Sequence, residues 1–327
     1  ILTPLSSRLF KDADVFVTAI IGATGPVPRH VTISDCQNPK RIVRRSGQEV
    51  AWWEMVDPQQ PLLMEVLDSS VPLCPLGELV SLRAGATTGT AYELAPLVEE
   101  AGNGPRLITT GLIDRYECTW GSRKCRYLKR TYLQPTWPCP STGSVQRAAV
   151  AQHRPKILIA GLSKVLEAVA DPQGQLAGVV STWVAAPVHG QEQDLWLWEA
   201  LLNSPVLSLI YAIRYRGKEL SGGNITIGKR ELAVLPVPED IGTLQPGTVP
   251  PLDNLNAVFS MDPVTRAHRQ RLAATATRAV QRRGWSALDT DRDLLAAAAV
   301  ARLYGLSKQT HQKIQSWFES RCPLSQP

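Results

Sequence analysis

The chain comprises 327 residues, of which 44% are hydrophobic and 20% charged, with a formal net charge of +6. That apolar content excludes a disordered polymer, and the length allows one large domain or two ordinary ones. Twenty-five prolines and 23 glycines exclude a coiled coil or a plain helical bundle, and nine tryptophans dominate a small aromatic share.

Ile1 leads directly into a strand-like segment without the basic and apolar pattern of a signal peptide, so the expectation is a piece of a longer polypeptide. Residues 15–21 (VFVTAII) and 31–33 (VTI) are β-branched and apolar, with Gly25, Pro26 and Pro28 between them. They read as two strands in a hairpin or at a sheet edge. Residues 40–75 combine Trp52 and Trp53 with four prolines and read as a connector. From Leu76 to about Glu239, short strand-like runs dominate: LGELVSL, RLITTGLI, KILIAGL and GVVSTWVAA. Within this region, Gly85-Ala-Thr-Thr-Gly89 is either a phosphate-holding or base-edge turn, or a plain turn.

The charge is concentrated. Residues 106–156 hold ten Lys or Arg against two acids, a local +8, and residues 121–156 hold no acid at all. Trp120, Tyr127, Tyr132 and Trp137 are interleaved with these cations. Cations neutralise phosphates and aromatic faces stack on bases, so the mixture points to a nucleic-acid surface, with an acidic protein partner or a solvated face as the alternatives.

The apolar stretch Leu195 to Ile213 carries Glu199, Asn203, Ser204 and Pro205, so it reads as a core helix broken near Pro205 and not as a membrane span. The segment Gly223 to Arg230 spells most of a phosphate-binding loop. Arg230 stands where a hydroxyl is required and the interior is β-forming, so that reading is rejected. Residues 241–255 read as a linker. From Val264 to Arg283 there are six arginines and no acid, which suits either a phosphate-facing helix or one paired with Asp289, Asp291 and Asp293. Asp291 to Tyr304 reads as a helix capped by Gly305, followed by a last helix from about Ser307 to Phe318. The six cysteines form no disulfide or zinc framework and the five histidines form no metal pair, so no metal is expected.

The motifs in order are Leu76-Gly-Glu-Leu-Val-Ser-Leu-Arg-Ala-Gly-Ala-Thr-Thr-Gly89, Ile108-Thr-Thr-Gly-Leu-Ile-Asp-Arg-Tyr116, Arg154-Pro-Lys-Ile-Leu-Ile159, Leu201-Leu-Asn-Ser204, Ile225-Thr-Ile227 leading to Leu235-Pro-Val-Pro238, and Ala301-Arg-Leu-Tyr-Gly-Leu306. Together they resemble the carboxyl-terminal half of bacterial adenine-specific DNA methyltransferases of the type IIG and Taq-like restriction-modification group. The segment Arg8 to Ile21 looks like the last strands of that family's Rossmann-like methyltransferase domain. The resemblance implies an α+β fold with short-stranded mixed sheets: residues 1–62 as methyltransferase remnant and connector, 63–240 as target-recognition domain, and 241–327 as linker and helical region.

It further implies that the intact protein methylates the exocyclic amine of an extruded adenine with S-adenosylmethionine. This chain would supply grip and sequence choice, be inactive alone and bind no S-adenosylmethionine. The family's catalytic motif, Asn or Asp followed by Pro-Pro and an aromatic residue, is missing: Lys40 follows Asn38-Pro39, and Ser204 follows Asn203. That motif and the glycine-rich cofactor motif would lie before Ile1. The implied partners are double-stranded DNA, the remainder of the methyltransferase or a catalytic subunit, and other defence-system subunits, in the cytoplasm and away from membranes.

On charge and position, the candidates for DNA contact are Thr87, Thr88, Arg115, Trp120, Arg123, Lys124, Arg126, Lys129 and Arg130, with Lys156, Lys218, Lys229 and Arg230 as phosphate partners. Trp120 is either a stacking wedge or a core residue. The alternative function is a separately encoded specificity or scaffold subunit that binds a catalytic or defence partner protein. An independent enzyme is the remaining possibility.

Overall fold

A computed structural model describes residues 57–138, 143–188, 195–220 and 222–322, Glu54, and the backbone of four N-terminal strands. Those strands are β1 (Leu2–Pro4), β2 (Thr18–Ile20), β3 (His30–Ser34) and β4 (Pro39–Val43), in the order β2-β1-β3-β4. The strands expected within 15–21 and 31–33 thus share one sheet, but they do not pair with each other: β1 lies between them, and β3 pairs antiparallel with β4. Trp52 and Trp53 lie outside the described residues. The expected connector holds one helix, α1 (Gln60–Leu67), with Pro61 in its first turn, where a missing N–H costs nothing.

The chain continues through β5 (Leu73–Pro75), the single turn α2 (Leu76–Leu79), β6 (Val80–Ala84) and α3 (Thr88–Leu94). Short strands follow: β7 (Glu99–Glu100), β8 (Arg106–Ile108), β9 (Ile113–Asp114), β10 (Glu117–Cys118), β11 (Cys125–Tyr127), β12 (Arg130–Tyr132) and β13 (Pro135–Thr136). After α4 (Gly143–Gln152) come β14 (Lys156–Ala160), β15 (Leu162–Ser163), β16 (Ala168–Asp171), β17 (Leu176–Gly178) and β18 (Thr182–Pro187).

Two four-stranded sheets organise this region. One is antiparallel throughout, in the order β16-β14-β18-β6; the other has the order β17-β8-β13-β7, with β17 and β8 parallel. Strand β14 is buried at every position, from Lys156 through the apolar run Ile157 to Ala160, which requires both sheet faces to be covered. Ile157 and Ile159 enter a large core shared with the helices, while Leu158 and Ala160 enter a smaller core beneath the second sheet.

The broken apolar helix is α5 (Leu195–Leu202) followed by α6 (Pro205–Arg214), bent by 50°. The break has a local cause: the Ser204 hydroxyl accepts from the Leu207 amide at 3.2 Å and Pro205 opens the next helix. Among the described residues no single helix is long and apolar enough to cross a membrane.

Glu199, Asn203 and Ser208 of this run share a task. β16 is an edge strand, and its outward amides need partners. The amides of Ala170 and Ala168, and that of Leu166 just before the strand, donate to the side-chain oxygens of Glu199 (2.9 Å), Asn203 (2.9 Å) and Ser208 (3.2 Å), so the helices close the edge.

The carboxyl-terminal part contains β19 (Ile225–Thr226), α7 (Lys229–Ala233), β20 (Pro236–Pro238), α8 (Leu255–Ser260), α9 (Arg266–Val280), α10 (Thr290–Leu303) and α11 (Lys308–Arg321). Gly305, at φ +80°, ends α10 as expected, with its amide and that of Leu306 donating to Arg302 and Ala301. Residues on both sides of position 240, from Leu62 to Ile314, contribute to the same large core.

The arginines of the second basic stretch follow neither reading in full. Arg269 pairs with Asp240 and also donates to the Leu303 carbonyl at 2.9 Å, and Arg282 pairs with Glu199. Asp289 instead caps α10, accepting from the Arg292 amide at 2.9 Å.

His311 on α11 is buried beside Phe259, with ring centroids 5.4 Å apart, and its Nδ1 has no partner. Burial pushes its pKa down to about 4 from the usual 6.5. The unfolded chain therefore takes a proton that the folded chain refuses. The contribution to stability is complete above pH 6.5 and is lost as pH falls through 4, up to about 3 kcal/mol. Thermal melts between pH 7 and pH 4 should fall more steeply for the parent chain than for His311→Leu; parallel curves would refute this.

Candidate nucleic-acid interface

Strands β11 and β12 form a hairpin in which Cys125 faces Tyr132, Arg126 faces Thr131 and Tyr127 faces Arg130, leaving a two-residue turn of Leu128 and Lys129. Strand alternation sorts most of its side chains; Arg130 shares the face of Tyr127 and Tyr132 but stands exposed beside the turn. Cys125, Tyr127 and Tyr132 are buried in the smaller core, whereas Lys124, Arg126, Lys129 and Arg130 are exposed. The Tyr127 hydroxyl donates to the Ala91 carbonyl at 2.8 Å and ties the hairpin to α3. Arg126 Nε donates to the Leu128 carbonyl at 3.2 Å, holding the turn. Among the described residues Lys124, Lys129 and Arg130 form no ion pair, so their charge is directed at solvent.

Thr87 and Thr88 are exposed at the start of α3. The Thr87 hydroxyl is engaged as the helix cap, accepting from the Thr90 amide at 3.2 Å. The preceding Gly85 is explained by packing: a Cβ there would sit 2.4 Å from the Gly178 backbone. The Gln152 amide clamps the same two loops, donating to the carbonyls of Gly85 (2.7 Å) and Gly178 (3.1 Å) and accepting from the Gly178 amide (2.8 Å). Gly85→Ala should therefore cost roughly 2–3 kcal/mol, because neither backbone can yield without breaking this clamp. A urea midpoint equal to that of the parent chain would contradict that explanation.

The remaining candidates divide by what they already touch. Arg123 is exposed but bidentate to Asp114, at 2.6 and 3.0 Å, and that hydrogen bonding raises its pKa. Nearby, burial and the Asp114 charge push the Glu167 carboxyl up to about 8. Lys218 pairs with Glu231, whose carboxylate also accepts from the Gly228 amide at 3.0 Å. Lys229 and Arg230 are exposed at the start of α7, which packs on α2 and β6. The structure thus gathers Lys218, Lys229 and Arg230 at α7.

Two candidates are enclosed by the molecule. Lys156 and Asp171 are both 0% exposed and paired at 2.5 Å; burial lowers the lysine's pKa and Asp171 opposes that. A side chain so enclosed cannot reach a phosphate. The Arg115 guanidinium is bidentate to Asp293 at 2.8 Å, donates to the Asn203 carbonyl at 3.0 and 3.1 Å, and lies over the rings of Tyr116 and Phe318. It joins the loop after β9 to α10 and α11, with four of its five N–H donors engaged internally.

Trp120 is half-buried. Its Nε1 donates to the Pro135 carbonyl at 2.7 Å, and Arg106 lies 4.8 Å from its ring centre and 4.6 Å from that of Trp285. One ring face of Trp120 is therefore covered by Arg106, and the core reading fits better than the wedge.

Two exposed cations were counted in the basic window but not singled out. Arg147 on α4 and Arg154 just beyond it are exposed, and α4 packs against α3, the same helix that anchors the hairpin. Arg154 lies beyond the end of that helix, so helical periodicity does not join the two and no spacing in the sequence marks them as a common face. The chain matches no protein-family model and no curated protein sequence.

Proposed function

We propose that this chain grips duplex DNA as the target-recognition part of an S-adenosylmethionine-dependent adenine N6-methyltransferase of a restriction-modification or related phage-defence system. The observation that carries the reading is the β11–β12 hairpin, a two-stranded ribbon whose buried tyrosines and cysteine fix it to the fold, with Lys124 and Arg126 exposed on the opposite face and Lys129 and Arg130 exposed at its tip. A ribbon of this kind fits a DNA groove, where cations contact phosphates or base edges. The order of motifs along the chain supports the methyltransferase setting. The catalytic motif and the cofactor then belong to the rest of that protein.

The test is duplex binding as a function of salt, by the parent chain and by a variant with Lys124, Arg126, Lys129 and Arg130 replaced by alanine. Retained affinity with an unchanged salt slope would overturn the proposal. Capture of an acidic partner protein with no binding to DNA would favour the scaffold reading instead.

A further inference from the structure

The turn of the β11–β12 hairpin contains an anomaly. A two-residue hairpin turn commonly requires a positive φ at its first residue, a place usually taken by glycine. Here it is Leu128, at φ +50°, and its side chain is 38% exposed. A leucine at such a position carries backbone strain, and full burial does not offset that strain because Leu128 is 38% exposed and is not part of the core that holds Cys125, Tyr127 and Tyr132. Its neighbours Arg126, Lys129 and Arg130 are exposed cations, so the one apolar group at the tip sits within a positive rim. The tip is held in place by the Arg126 bond to the Leu128 carbonyl and by the Tyr127 bond to α3.

From this we infer that Leu128 is a wedge that enters the base stack of bound duplex DNA, while the surrounding cations hold the phosphates on either side. The inference rests on the proposed DNA-binding role and names the group that would distort the duplex. An apolar side chain inserted between base steps unstacks them, and the cost is lowest where pairing is already weakened. A held, exposed leucine flanked by cations has the shape and charge for that task.

The probe is a pair of duplexes, one fully matched and one with a central mismatch, each carrying 2-aminopurine beside the centre. The parent chain should bind the mismatched duplex about 10-fold more tightly than the matched one and raise its 2-aminopurine fluorescence as stacking is lost. Leu128→Gly removes the wedge and relieves the positive φ, so the fold is retained. It should abolish both the preference and the fluorescence rise while leaving the salt slope unchanged. Leu128→Met should keep both effects.

Equal affinity of the parent chain for the two duplexes, or a preference that survives in Leu128→Gly, would overturn the wedge. In either case a salt slope that still depends on the hairpin cations leaves the DNA-binding reading intact. A parent chain that binds neither duplex overturns both. Loss of the salt slope in Leu128→Gly would make Leu128 a folding residue and likewise overturn the wedge.

Discussion

Arg282→Ala is expected to remove about 3–5 kcal/mol of folding stability, because it strands a carboxylate in the core. Glu199 is fully buried on α5, and both of its oxygens accept from the Arg282 guanidinium, at 2.7 and 2.8 Å. Burial raises the Glu199 pKa and the hydrogen bonds from Arg282 oppose that rise. Arg282 also donates to the carbonyls of Tyr116, Val280 and Ser286, so it joins the end of α9 to the loop between β9 and β10. Without it, Glu199 must either remain charged and unpaired or take up a proton, and both raise the free energy of the folded state at neutral pH.

A double variant separates the charge from the packing. Glu199→Gln keeps an acceptor for the Ala170 amide, and Arg282→Met keeps apolar bulk against Trp196. The combined Glu199→Gln and Arg282→Met chain should be more stable than Arg282→Met alone, by urea denaturation of both. A double variant as unstable as the single one would show that the loss is not electrostatic.

The four-cation hairpin variant should show the second large effect. If each of Lys124, Arg126, Lys129 and Arg130 neutralises one phosphate, their removal should flatten the slope of log affinity against log salt by about 3–4. Near physiological salt the affinity should fall by roughly 10²- to 10³-fold. The side chains are exposed and their strands are anchored by Cys125, Tyr127 and Tyr132, so the far-ultraviolet circular dichroism should match that of the parent chain, with only a small fall in melting temperature from loss of the Arg126 bond to the Leu128 carbonyl. Arg123, held by Asp114, should contribute less than any of the four when replaced alone.

Local signals were legible in the sequence wherever one short segment contains both cause and effect. Ser204-Pro205 breaks the apolar helix, Gly305 ends α10, and Ser307 caps α11 by accepting from the Thr310 amide at 3.1 Å. The alternation in Lys124 to Tyr132 likewise belongs to the hairpin itself.

What the sequence did not separate is which cations face water. Lys156 and Lys129 look alike in a basic run, yet the first is paired with Asp171, 15 positions away. The partners of Arg269, Arg282 and Arg115 lie 29, 83 and 178 positions away. No charge count over a window reports pairings at such separations, and burial sets them. The pairing of the N-terminal strands was hidden for a similar reason, since β1 enters between β2 and β3 from outside the segment that suggested a hairpin.

Strand β14 has a consequence for how such a molecule can change over generations. Its alternate residues form the wall of two different cores, so inserting or deleting one residue would send each side chain into the wrong compartment at once. The middle of the molecule is therefore closed to length variation and open only to paired exchanges of similar volume. The hairpin, by contrast, sends only Cys125, Tyr127 and Tyr132 inward. Its outward residues can be exchanged one at a time without disturbing the interior, so new surface chemistry can arise there while the wall stays fixed.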